Sequence, residues 1–315
     1  MTGVQTCALP IFGLEDHYTE TWQAVANYFK GDAGVAGYEL MNEPVGGSET
    51  LGTLLGNPYF ESQQLTPFYN QLDTAIRSVD PNKTVFFEPP PASGVVPTPS
   101  HLGTVHDPNS VYSFHNYCAT NSLFATISFG CDINADLVAD FAQDYAQAHH
   151  IPALMTEFGD TTNNPTITAG VNSADTHMTG WTEWAYTGHD ITSASPNGQA
   201  LVYDPTKPPT GDNVDTAKLD ALDQPYPQLI SGTPNSWSFT NGTFTMSYST
   251  THADGNGTFP TGSPTTISVP TTQYPHGYTV TATGATVTSP PNSTLLTITS
   301  TTGATTITLT VTPNP

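Results

Sequence analysis

Positive charge is nearly missing from this chain. Its 315 residues carry 5 Lys and Arg against 27 Asp and Glu, a formal net charge of −22. Phosphate backbones are gripped by clustered Lys and Arg, so the composition argues against a nucleic-acid partner. Anionic membrane surfaces are disfavoured for the same reason. From Leu219 onward Lys and Arg disappear altogether, and Thr and Ser dominate. Long apolar runs are lacking as well: nothing approaches the roughly 20 residues of a membrane-spanning helix.

An export signal is also missing. The opening MTGVQTCALPI has neither a basic start nor a cleavage site. Thr2 to Ile11 resemble the conceptual translation of a sequencing-library adapter, so residues 1–11 are set aside as non-native. The expectation is then a gene cut at its 5′ end, with any signal peptide lost in the missing piece. Cysteine is scarce: Cys7 falls in the set-aside segment, leaving Cys118 and Cys131 around one loop. In an exported protein these two would pair; the alternative is two partly buried thiols. The expected location is secreted or at the cell surface. No Cys/His spacing resembles a zinc site, and neither metal nor cofactor is expected.

What the chain does contain is alternation. Helical spacing marks Glu15–Lys30, Glu61–Val79, Ala135–His149, and two short segments at Ala174–Thr179 and Asp215–Asp223. Five short apolar strands fall between them: Val35–Met41, Thr84–Glu88, Val111–Tyr117, Pro152–Phe158 and Gly180–Tyr186. Such alternation predicts an α/β domain with a parallel sheet over residues 12–230. A closed barrel needs eight strands. The chain opens on a helix with no strand before it, so the expectation is an incomplete (β/α)8 TIM barrel holding about strands 4–8. A complete, smaller open sheet is the alternative. From residue 231 to 315 the period changes to short Thr-, Val- and Ile-rich strands separated by Gly, Pro and Asn, which predicts an all-β sandwich.

Two of the strands end on carboxylates: GYELMNEP finishes at Glu43, and PALMTEF carries Glu157. Parallel barrels place their chemistry at this end of the strands. A pair of carboxylates on separate strands is the equipment for cleaving a glycosidic bond. Glu88 ends a third strand and is a candidate for binding sugar hydroxyls or capping the loop after it.

GYELMNEP, SFHNYC, MTEFGDT and GWTEWAY together resemble glycoside hydrolase family 5. SFHNYC, MTEFGDT, LDQPYPQLISGTP and the β-sandwich after them resemble its endoglycoceramidase branch, and the similarity runs from about residue 13 to the end. The resemblance implies Glu43 as general acid/base and Glu157 as nucleophile. It implies Asn42 on the sugar 2-hydroxyl, His115 near the acid/base, Tyr117 donating to the nucleophile, and Trp184 as a platform beneath the sugar. The two roles call for Glu43 to start protonated and Glu157 to stay ionised.

The implied substrate is a glycolipid with a ceramide-like aglycone. Leu, Phe and Val in the loops 51–60, 95–102 and 122–129 are candidates for an apolar slot. An endoglucanase or β-glucosidase on cello-type glucosides is the competing activity. A non-catalytic carbohydrate- or surface-binding remnant is the competing class. The family's first three strands normally supply an Arg and a His near the nucleophile, and no counterpart can be placed here. The chain as written is therefore expected to be insoluble or inactive.

Overall fold

The computed structural model describes residues 13–47, 57–124, 126–188 and 199–315. The adapter-like start and most of the 51–60 loop lie outside them. Contacts divide the chain into two compact units. One runs to Gly159 and takes in Gly180–Trp184; the other comprises Asp160–Thr179 and Ala185–Pro315.

The first unit is a parallel sheet with helices between its strands. Helix α1 (Leu14–Phe29) leads into β1 (Gly37–Glu39). A π-helical stretch, Glu61–Leu65, feeds α2 (Thr66–Arg77), whose Phe68, Tyr69, Leu72 and Ile76 are buried. Then come β2 (Thr84–Phe87), β3 (Ser110–Asn116), the short α3 (Ala119–Leu123), α4 (Cys131–His149) and β4 (Ala153–Phe158). The strands lie in chain order, β1-β2-β3-β4, and every pairing is parallel. Sequential parallel strands with crossover helices form an arc of a (β/α) barrel. Strand β3 is buried along nearly its whole length, with Tyr112, Phe114, His115 and Asn116 all inside. That is why its sequence shows no polar alternation.

The fifth predicted strand, Gly180–Tyr186, is corrected. It survives as isolated parallel bridges, Met155 to Trp181 and Gly159 to Trp184. Four steps along one chain are matched by three along the other, so the ladder cannot run unbroken. The backbone still bonds from Thr182 to Met155 and from Trp184 to Phe158.

In the second unit, α5 (Asn164–Thr176) replaces the short helix expected at Ala174–Thr179. Its start was legible: Asn163 caps the backbone of Thr166, and Pro165 sits in the first turn. Helix α6 (Thr216–Leu222) is capped by Asp215. Eight strands follow: β5 (Tyr226–Leu229), β6 (Thr233–Thr240), β7 (Thr243–Ser249), β8 (Pro264–Ser268), β9 (Tyr278–Thr283), β10 (Ala285–Val287), β11 (Leu295–Ser300) and β12 (Thr306–Pro313). They form two antiparallel sheets, ordered β10-β11-β8-β5 and β6-β7-β12-β9. Alternate residues such as Phe244, Met246, Ile298, Leu309 and Val311 make the core, while the Thr between them face outward. Strands β5 and β10 were absent from the sequence reading. Both are short edge strands, too brief for a periodic signal.

Candidate active site

Glu43, Glu88, His115, Tyr117 and Glu157 converge at one end of the parallel sheet. Each stands at or just past the C-terminal end of its strand, so the fold alone gathers them. A β-bulge then sets the register. Phe114 pairs with Met155, but His115 pairs with Glu157, so β4 gains a residue at Thr156. Without that slip His115 would stand beside Thr156, whose side chain points to the other face.

His115 is the hub. Its Nδ1 lies 3.0 Å from Glu43 Oε1 and 3.4 Å from Glu157 Oε2. Its Nε2 lies 3.1 Å from Glu88 Oε2. Tyr117 donates its phenol to Glu157 Oε2 at 2.7 Å. Oxygen atoms of Glu43 and Glu157 and a His115 nitrogen all lie within 4.8 Å of one another. Exposure separates the two acids: the Glu43 side chain is 39% exposed and that of Glu157 17%. Glu43 reaches the open mouth, and Glu157 sits deeper.

Burial pushes the Glu157 carboxyl above its ordinary range. His115 and the Tyr117 hydrogen bond oppose that push, while Glu43 and Glu39 add to it. His115 and Tyr117 are thus the groups that favour the ionised form of Glu157. Burial also works against the His115 imidazolium, but the hydrogen bond to Glu43 and the charges of Glu88, Glu157 and Glu43 outweigh it, and its pKa is raised. Glu88 is pushed up to about 8, chiefly by burial.

Glu88 differs from its expected place. Its side chain is 2% exposed, so it presents no open face to a sugar hydroxyl. It lies behind the pair, accepting the backbone N–H of Glu43 and facing the ring of His115. Tyr69, on the apolar face of α2, bonds the Glu88 carbonyl at 2.8 Å. The sequence reading passed over Tyr69; its place beside Phe68 in the apolar stripe was the available signal. Gly94 backs the same cluster. A Cβ there would meet the His115 carbonyl oxygen at 2.9 Å, so only glycine permits the approach.

Asn42 is exposed beside Glu43. Trp184 is half-buried and bridged by its backbone to Gly159, two residues beyond Glu157. Trp181 packs edge-on against buried Phe158, as a core residue does. Cys118, directly after Tyr117, is joined to Cys131 by a disulfide that closes the loop following β3.

Comparison with known proteins gives this arrangement its setting. Residues 11–190 match the cellulase (glycosyl hydrolase family 5) model, and residues 224–311 match the glycoside hydrolase family 5 C-terminal domain. Endoglycoceramidase I of Rhodococcus hoagii is 27% identical over 303 residues, covering 91% of this chain and 55% of that protein. The solved endo-glycoceramidase II from Rhodococcus sp. in its ganglioside GM3 complex is 27% identical, with a TM-score of 0.74. The match covers 96% of this chain and 64% of that one. The same Rhodococcus protein, solved as a lactosyl-enzyme intermediate, is 28% identical with a TM-score of 0.71, over 96% and 64% of the two chains. This chain therefore spans between half and two thirds of the length of these relatives. Its incomplete barrel arc and antiparallel sandwich are the fold they share. By a model match over more than half its length, with the barrel strands and sandwich in the same order, the chain belongs to glycosyl hydrolase family 5.

Proposed function

We propose that the protein carrying this chain is a retaining glycoside hydrolase that cleaves the β-bond between a sugar and a ceramide-like lipid. One observation carries the reading: Glu43 and Glu157 bring oxygens within 4.8 Å of each other, both against Nδ1 of His115. Retaining pairs stand about 5–5.5 Å apart, whereas inverting pairs leave about 6.5–9.5 Å for a water. Glu157 attacks the anomeric carbon as Glu43 gives its proton to the departing oxygen. Glu43 then takes a proton from water, and the resulting hydroxide displaces Glu157 from the sugar. The lactosyl-enzyme form of the Rhodococcus protein supports a covalent intermediate.

A lipid aglycone is supported by the loop closed by Cys118–Cys131. It carries no charged residue, and Leu123, Phe124, Ile127 and Phe129 are exposed on it. Hydrogen bonds from Thr120 to the Phe129 carbonyl and from Asn121 to the Ile127 carbonyl tie the two sides of the loop together. An exposed apolar cluster of this kind marks an interaction surface. The predicted apolar segment at 122–129 thus faces solvent instead of lining a closed slot. No helix among the described residues is long and apolar enough to cross a membrane. We place the protein outside the cell or on its surface, where the disulfide persists.

The deciding assay sets a glycosphingolipid beside a soluble cello-oligosaccharide of equal concentration. Preference for the glycolipid is expected. Preference for the oligosaccharide would move the assignment to a cellulase-type enzyme, as the name of the matching family model suggests. An aryl glycoside with a good leaving group separates the two acids. Glu43→Gln retains its first, sugar-transferring step, because the leaving group needs no proton, and Glu157→Gln loses it.

A further inference from the structure

One buried carboxylate touches both the acid/base and the histidine between the catalytic pair. We propose that Glu88 is a positioning residue of this site: with one oxygen it fixes the backbone of Glu43, and with the other it fixes the ring and the proton of His115.

The Glu43 backbone needs such an anchor. Its φ is 44°, in the left-handed region that residues with a Cβ seldom occupy. Pro44 follows and narrows the choice of conformation further. Strained backbone persists only where the surroundings over-determine it. Here the Glu43 N–H is held by Glu88 Oε1, and Leu40 N is tied to Phe86 O at 3.0 Å in the strand just before. Aim of the Glu43 carboxyl follows from that conformation.

The second oxygen acts on His115. Glu88 Oε2 faces Nε2, so the proton on that nitrogen is retained and Nδ1 is left towards Glu43 and Glu157. The charged and titratable groups around the ring are Glu43 after β1, Glu88 after β2, Glu157 on β4, and Tyr117 beyond its own strand. Glu39 acts on Glu88 and Glu157 through space. Glu88 is the member of this set that is closed off from solvent and meets Nε2. Glu88 and His115 titrate as a pair: the charged ring draws the Glu88 carboxyl down against its burial, and the Glu88 carboxylate so formed strengthens the ring's hold on its proton. A neutral group at this position would leave the ring less basic and Glu157 with less of the positive field that favours its ionised form.

Glu88→Gln preserves shape and removes the charge; Glu88→Asp keeps the charge and draws it back. The test titrates the His115 ring by NMR in histidine-labelled protein, with its signal assigned through His115→Asn. The His115 midpoint is expected to fall by about one pH unit in Glu88→Gln, the effect of one neighbouring charge, and by less in Glu88→Asp. An unchanged midpoint in whichever variant folds overturns the proposal. So does an equal fall in both, which would make shape and not charge the cause. Kinetics add a second reading, which rests on the proposed hydrolase activity. Glu88→Gln should lose about tenfold or more in kcat with KM nearly constant, and the acid limb of its pH profile should move upward. If the full-length protein carrying this chain hydrolyses no glycoside, the functional assignment fails, and the titration still decides the role of Glu88.

Discussion

Tyr117 Oη donates to Glu157 Oε2 at 2.7 Å, joining the residue after β3 to the penultimate residue of β4. Burial raises the Glu157 carboxyl, and this bond pulls it back. Tyr117→Phe should therefore lower kcat/KM by about 10- to 100-fold, the value of a hydrogen bond to a charged group. Removing a donor that favours the carboxylate leaves Glu157 protonated to a higher pH. The acid limb of kcat/KM should shift upward while the alkaline limb stays. A uniform loss at every pH would show that the tyrosine only packs.

Burial and a donor also compete at Asp175. Its carboxyl accepts from Trp237 Nε1 at 2.7 Å, within the sandwich unit. Burial nevertheless pushes its pKa up to about 6, above the ordinary 3.8 of an aspartate. A raised acid favours folding in its protonated form. That contribution is full below about pH 4 and is lost as pH rises through about 6. Asp175→Asn keeps an acceptor for Trp237 without the charge. It should be more stable than the original protein by about 2–3 kcal/mol above pH 7, with the gap closing towards pH 4. Thermal melts at several pH values would reveal the trend; a gap independent of pH would refute it.

The apolar loop after β3 gives a prediction separable from chemistry. Phe129 is 86% exposed and Leu123 76%. Replacing both with Ser should weaken binding to neutral, glycolipid-bearing vesicles by about 100-fold or more, from about 1.5 kcal/mol per apolar side chain. Turnover of a soluble aryl glycoside should not change. Flotation with vesicles and a parallel colour assay would distinguish the outcomes. Equal loss in both would place these residues in the catalytic cleft.

The Cys118–Cys131 bridge spans a sequence separation of 13. Closing a loop of that length stabilises by about 3 kcal/mol on the chain-entropy view. A Cys118→Ala, Cys131→Ala protein should melt about 5–10 °C lower, and proteases should cut first between those positions. Unchanged melting with unchanged cleavage would mean that the loop is held by Thr120 and Asn121 alone.

Several features needed nothing beyond the sequence. Helical spacing in Ala135–His149 located α4 because that helix buries one stripe of side chains, and in Glu15–Lys30 it located α1, whose Tyr18 and Trp22 reach the Leu40 carbonyl while Ala26 is buried. Alternation in β7 and β12 located the sandwich because each strand buries one face. Carboxylates at strand ends placed Glu43 and Glu157 together, since parallel strands aim those ends the same way. Tertiary structure decided the rest. The slip at Thr156 sets His115 opposite Glu157, and strand register depends on pairing between chain segments far apart. It also decided that Glu88 faces inward. A strand-end glutamate reads alike whether it meets sugar or a buried histidine, and only the packing of β1, β3 and α2 around it makes the difference.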